Sequence, residues 1–112
     1  MTVAGPAPLL FIIPAFNEEE SLPGVLHELG EAFPEADVVV IDDGSTDGTA
    51  AVARAGGAVV LALPYNLGIG GAMQSGFKYA AANEYDVAAQ VDGDGQHKPA
   101  HINDLLEALR TS

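Results

Sequence analysis

Four short apolar runs constrain this chain more than anything else in it. They are Leu9-Leu10-Phe11-Ile12-Ile13, Val38-Val39-Val40-Ile41, Ala58-Val59-Val60-Leu61-Ala62-Leu63 and Val87-Ala88-Ala89-Gln90-Val91. Each is shorter than a typical helix, and the second is β-branched throughout, so each is predicted to be a strand. Continuous hydrophobicity, as opposed to strict alternation, predicts strands covered on both faces, as in a parallel sheet. Between the runs the pattern turns helical. Leu22, Val25, Leu26, Leu29 and Phe33 fall on one helix face, and Ile102, Leu105, Leu106 and Leu109 fall on another after Pro99. Thr49 to Ala55 and a stretch from about Ala72 to Asn83 are the remaining helices. Strand followed by helix, four times over, predicts an α/β fold with a mainly parallel sheet and right-handed crossovers.

Local chemistry sets the expected boundaries. Pro14 is expected to end the first strand, because proline cannot donate to a ladder. The first helix should begin between Glu18 and Pro23, capped by Asn17 or Ser21, and stop near Phe33 before Pro34. Glu19 and Glu20 suit the positive end of that helix's dipole. Gly56-Gly57 stops the second helix and Pro64 the third strand. Gly76 is read as a point of close helix–strand packing. His27 and His101 are expected to face solvent, and Tyr65, Phe77 and Tyr79 to be packing residues.

The strand ends carry the chemistry. In open α/β sheets, ligands bind outside the carboxyl ends of the strands. There the second run releases Asp42-Asp43-Gly44-Ser45-Thr46-Asp47, and the fourth releases Asp92-Gly93-Asp94-Gly95-Gln96-His97. Asp92 and Asp94 repel each other unless a cation sits between them, and hard oxygen donors suit magnesium, manganese or calcium. His97 is either a further ligand or a capping residue. A calcium hand starting at Asp92 fails, since its sixth position is His97 and its twelfth is Asn103. The glycine-rich stretch Asn66-Leu67-Gly68-Ile69-Gly70-Gly71 is not a P-loop, because Phe77 follows Gly76 where lysine is needed. Nor is it a dinucleotide fingerprint, because Met73 stands three after Gly70 and the loop follows a third strand.

Charge narrows the partners. With 16 acidic and 4 basic residues the formal net charge is -12, which argues against nucleic acid or an anionic membrane surface. An anionic substrate needs a bridging cation. The absence of cysteine excludes disulfides and thiolate metal sites and is compatible with a cytoplasmic location. The 48% hydrophobic content fits a globular chain, and no apolar run approaches the ~20 residues of a membrane helix.

The loops at the four strand ends, Pro14-Ala15-Phe16-Asn17-Glu18, Asp42 to Asp47, Asn66 to Ala72 and Asp92 to Pro99, occur in one order. Together they resemble the family 2 glycosyltransferases of GT-A fold, nearest to the dolichyl- and polyprenyl-phosphate sugar synthases. The resemblance covers about residues 9 to 110. It implies a three-layer α/β/α arrangement, the Rossmann-like nucleotide-binding half of a GT-A fold. It also implies a nucleoside-diphosphate sugar donor, a polyprenyl-phosphate or saccharide acceptor, inversion at the anomeric centre, and Mg2+ or Mn2+ as cofactor. By similarity the nucleotide falls to Pro14, Phe16, Glu18, Asp42, Asp43, Asn66, Gly68, Gly71 and Asp92. Asp43 is favoured for the base. The D-x-D motif carries the metal to Asp92 and Asp94, with Gln96 a further metal-side position. Asp94, acting through the metal, is the nearest candidate to the chemistry. Ile69 departs from the lysine or arginine of many relatives. The family continues past position 112, so residues 1–112 are expected to form one nucleotide-sugar-binding domain, cut short relative to the full family domain. The acceptor base then lies outside it. Two further expectations follow: a homodimer that covers the sheet edge, and, as the alternative function, a nucleotide- and metal-binding module that transfers nothing on its own.

Overall fold

The computed structural model describes residues 9–94. Over that span the elements are β1 (Leu9–Ala15), α1 (Leu22–Ala32), β2 (Asp37–Asp42), α2 (Thr49–Ala55), β3 (Val59–Ala62), α3 (Gly68–Ala82) and β4 (Val87–Gln90). All pairings are parallel, in the order β3-β2-β1-β4. The expected helix after Pro99, with Gln96, His97 and His101, lies outside the described residues. Among the described residues no helix is long and apolar enough to cross a membrane.

Strand alternation splits the core in two. Phe11, Ile13, Val40, Ala89 and Val91 face α1 and α2, packing on Leu22, Val25, Leu26, Leu29 and Ala53. Leu10, Ile12, Val39 and Ile41 face α3, packing on Ala72, Met73 and Ala80. Helices therefore cover both faces of the sheet, giving the expected three layers. The strand order explains the split. The chain steps outward from β1 to β2 to β3, then returns to β4 on the far side of β1. The reversal sends α3 across the opposite face from α1 and α2. The switch point lies between β1 and β4, where a crevice opens at the carboxyl edge.

Four expectations need correction here. Pro14 does not end β1; the strand runs through it, with Pro14 in register with Ile41. The Ile12 carbonyl accepts from Val91, so the backbone N–H and C=O groups of even-numbered β1 residues point toward β4. The missing N–H of Pro14 thus falls on that side, past the last β4 pair at Gln90, where no ladder partner waits. Secondly, α3 begins at Gly68, four residues earlier than hydrophobic spacing predicts. Thirdly, β4 is an edge strand among the described residues, and Gln90 is exposed instead of being covered on both faces. Lastly, Tyr65 and Phe77 are exposed, so they are not packing residues, whereas half-buried Tyr79 stacks on Tyr85. His27 is exposed, as expected.

Gly76 behaves as read from the sequence. A Cβ there would land on Ile12 Cγ2, so glycine lets α3 lie directly on β1.

Candidate functional site

The parallel sheet delivers the ends of β1, β2 and β4, and the start of α3, to a single edge. The loop after β2 must first turn back on itself. Gly44 makes that turn at φ +77°, and a Cβ there would sit 2.6 Å from the Asn66 backbone nitrogen. Both the conformation and the space demand glycine. The abutment brings the loop before α3 against the end of β2.

Asp43 completes the junction. Its side chain accepts N–H bonds from Leu67 at 2.7 Å and Gly68 at 2.9 Å, and the Asn66 amide donates to its carbonyl. These are the first orphan N–H groups of α3, so a carboxylate from the loop after β2 caps a helix from another part of the chain. That cap is the physical reason α3 starts early. It could not be read from local spacing, because the capping residue lies 25 positions away in sequence. Gly68 takes φ +84° as the chain enters the helix. Asp42 is committed locally: its Oδ1 accepts the Ser45 N–H at 3.0 Å.

The loops after β1 and β2 clasp each other. Asn17 adopts φ +53°, donates its N–H to Ser45 Oγ, and accepts the Thr46 N–H on its side-chain oxygen. The Glu18 N–H donates to Thr49 Oγ1 at 2.9 Å, and the buried Thr49 hydroxyl in turn donates to Asp47 Oδ1. Asp47 also accepts from the Thr49 and Glu19 N–H groups, and the Thr49 hydroxyl foremost, with these N–H groups behind it, holds its carboxyl below the ordinary carboxylate value. Glu19 accepts the Gly48 N–H at 2.9 Å and so caps α2. The expectation that it serves the dipole of α1 is corrected: α1 starts at Leu22 with no acidic residue in its first turn. Neither Asn17 nor Ser21 caps α1 through its side chain. Ser21 Oγ lies 3.0 Å from Glu18 Oε2 and 2.6 Å from the Gly93 carbonyl oxygen, tying the start of α1 to the acidic loop after β4.

Two adjoining clefts result. The smaller, about 230 Å³, is lined by Pro14, Ala15, Phe16, Glu18, Asp43, Asn66, Gly68 and Ile69. Phe16 (46% exposed) and Ile69 (61% exposed) present apolar surface there, while Asp43 is buried. The wider, about 500 Å³, is lined by Asn17, Glu18, Glu19, Glu20, Ser21, Asp47 and Asp94. Glu18 belongs to both. A further groove of about 340 Å³ lies at the amino-terminal edge of the sheet. Its polar groups Asp37 and Tyr85 bond to each other, which leaves few convergent polar groups for a ligand.

Of the residues singled out from the sequence, Pro14, Phe16, Glu18, Asp43, Asn66 and Gly68 meet in the smaller cleft, and Asp94 lines the wider one. Asp42, Gly71 and Asp92 line neither. Asp42 is buried under its own turn; Gly71 sits in the first turn of α3, where a Cβ would meet Leu67 Cβ at 2.7 Å. Asp92 is half-buried at the end of β4, with the Gln90 amide 3.5 Å from its Oδ1. Gly93 between the two acids packs against Ile13 and Ala15. Residues missed from the sequence are Ser21 and Thr49, whose hydroxyls act across 72 and 31 positions and leave no local signal. Among the described residues no three Asp, Glu or His side chains converge to hold a metal by themselves. Asp92 and Asp94 nonetheless offer hard oxygen donors of the kind magnesium and manganese take, commonly one or two carboxylates with substrate phosphates completing the shell.

The chain is similar to known proteins over most of its length. The profile of "Glycosyl transferase family 2" matches residues 10–112. Undecaprenyl-phosphate mannosyltransferase of Micrococcus luteus is 44% identical over 109 residues, covering 93% of this chain and 45% of the relative. Polyprenol monophosphomannose synthase of Mycolicibacterium smegmatis is 36% identical over 109 residues, covering 89% of this chain and 40% of the relative. Among solved structures, glucosyl-3-phosphoglycerate synthase from Mycobacterium tuberculosis, in complex with Mn2+, uridine diphosphate and glucosyl-3-phosphoglycerate, superposes with TM-score 0.74 at 26% identity. It covers 92% of this chain and 39% of that one. The chain thus spans less than half the length of these relatives.

Proposed function

This chain belongs to glycosyltransferase family 2, and from that membership we propose that it binds the donor in a metal-dependent transfer of a sugar from a nucleoside diphosphate to a polyprenyl-phosphate acceptor. The observation that carries the reading is the meeting of Pro14, Phe16, Glu18, Asp43, Asn66 and Gly68 in one cleft, directly beside the acidic cleft of Asp94. Phe16 offers a ring face to the base. The Asp43 carboxylate holds Leu67 and Gly68 with two of its roughly four lone-pair sites and keeps the others for base N–H groups. Glu18, shared between the clefts, accepts from the ribose hydroxyls. Asp92 and Asp94, with Gln96 outside the described residues, hold Mg2+ or Mn2+. Bound there, the cation supplies charge neutralisation for the departing diphosphate. The protein's own part is to fix the nucleotide so that the sugar bond faces the acceptor.

The named functions of the relatives support transfer over the alternative of a binding module that transfers nothing. The homodimer belongs to this proposal as well. Its support is the edge position of β4 among the described residues, and sedimentation equilibrium reads it.

Calorimetric titration tests the central reading. Uridine or guanosine diphosphate is expected to bind more tightly with manganese than with chelator. Equal affinity under both conditions, or no binding of either nucleotide, overturns it.

A further inference from the structure

Ser21 Oγ faces two acceptors, Glu18 Oε2 at 3.0 Å and the Gly93 carbonyl at 2.6 Å. A serine hydroxyl has one proton to donate. With Glu18 ionised, the two acceptors compete for it, and whichever loses faces an oxygen lone pair at hydrogen-bond distance. Glu18 lines both clefts, and Gly93 is the residue between Asp92 and Asp94. The Gly93 carbonyl shares its peptide plane with the Asp94 nitrogen, so the hydrogen bond it receives fixes the backbone from which Asp94 projects. Gly93 itself is buried against Ile13 and Ala15, which leaves that peptide little other freedom.

We propose that Ser21 is a positioning residue that couples the nucleotide cleft to the acidic pair by switching the one hydrogen bond its hydroxyl donates from Glu18 to the Gly93 carbonyl. The inference rests on the reading of the site given above. When a ribose hydroxyl donates to Glu18, the carboxylate's demand on Ser21 is met elsewhere. The serine hydroxyl then donates wholly to the Gly93 carbonyl, and Asp94 is held in one place to receive a cation. The same coupling runs in reverse, since a factor by which nucleotide tightens metal is the factor by which metal tightens nucleotide. Ser21 stands at the N-cap position of α1 without capping it, so its hydroxyl is free of the role that position usually imposes.

The test is a set of calorimetric titrations of uridine and guanosine diphosphate, each with manganese and with chelator. Manganese alone is also titrated in the presence and absence of nucleotide. In Ser21→Ala the manganese-dependent gain in nucleotide affinity falls by about fivefold, the worth of one hydrogen bond. Affinity in chelator moves by less than about twofold, because Ser21 lines the acidic cleft and not the Phe16 cleft, and Glu18 keeps its place in the latter. Ser21→Thr keeps the hydroxyl and restores most of the gain. Thermal unfolding checks that each variant is folded. Should the alanine variant unfold, Ser21→Cys, of similar size and a weak donor, shows the same loss of gain. A Ser21→Ala chain that keeps the full manganese-dependent gain overturns the coupling, and so does a threonine variant as impaired as alanine. A wild-type chain that binds nucleotide equally with manganese and with chelator overturns the underlying reading of the site, and the coupling with it.

Discussion

Two acidic pairs sit at two strand ends of the same sheet, and they do opposite work. Asp42 and Asp43, at the end of β2, are 8% and 4% exposed, and their carboxylates accept backbone N–H groups from Ser45, Leu67 and Gly68. At the end of β4, Asp92 is half-buried and Asp94 is exposed on the wide acidic cleft. Backbone donors stabilise the first pair from within the protein, so it can be buried and used as a structural joint. Of the second pair, Asp94 lines a cleft shared with Glu18, Glu19, Glu20 and Asp47, where added negative charge is costly and a cation is favoured. Identical side chains at equivalent places in a repeated unit therefore divide into a joint and a cation-facing pair. What divides them is burial: Asp42 and Asp43 are enclosed by the folded chain, whereas Asp94 opens onto the acidic cleft.

The comparison breaks most readily at Asp43. Asp43→Ala leaves the Leu67 and Gly68 N–H groups without their acceptor at the start of α3. Urea unfolding should show a loss of about 3 kcal/mol, within the range for hydrogen bonds to a charged group. A loss under about 1 kcal/mol would mean the joint is ornamental. Gly44→Ala attacks the same joint from the backbone, through a positive φ and a Cβ 2.6 Å from Asn66 N, and should cost about 2 kcal/mol.

Asp94→Asn sharpens the other side. Stability by urea unfolding should stay within about 0.5 kcal/mol of wild type, as for a surface change. The manganese-dependent gain in nucleotide affinity should drop by about tenfold or more in calorimetry. A variant that is destabilised while keeping its metal response would erase the division between the pairs.

The smallest effect belongs to Asp47, which joins the loops after β1 and β2. Its folded carboxyl titrates below the ordinary value of 3.8 because of its bonds with Thr49 and Glu19. A depressed folded pKa contributes stability that is present above the unfolded value and is lost as pH falls through the folded one. Stability of Asp47→Asn should therefore fall less steeply than wild type as pH drops below about 4, by a small margin given that the group is exposed. Parallel curves for the two chains would remove Asp47 from the clasp.

Much of this protein is determined by its sequence alone. Unbroken apolar runs such as Val38 to Ile41 must be covered on both faces, which requires a parallel sheet between helix layers. The parallel sheet in turn brings the loops after β1, β2 and β4 to one edge, so the meeting of Phe16, Glu18, Asp43 and Asp94 at that edge follows from the sequence pattern. These conclusions rest on periodicity and hydrophobicity, which are local properties. Tertiary structure alone decided that Pro14 stays in β1, that α3 begins at Gly68, and that Glu19 caps α2 in place of α1. It alone decided that Ser21 spans from Glu18 to Gly93. The last three of those outcomes depend on which N–H or hydroxyl meets which acceptor across 24 to 72 positions of chain. Hydrogen bonds need contact and direction, and only the folded chain supplies both.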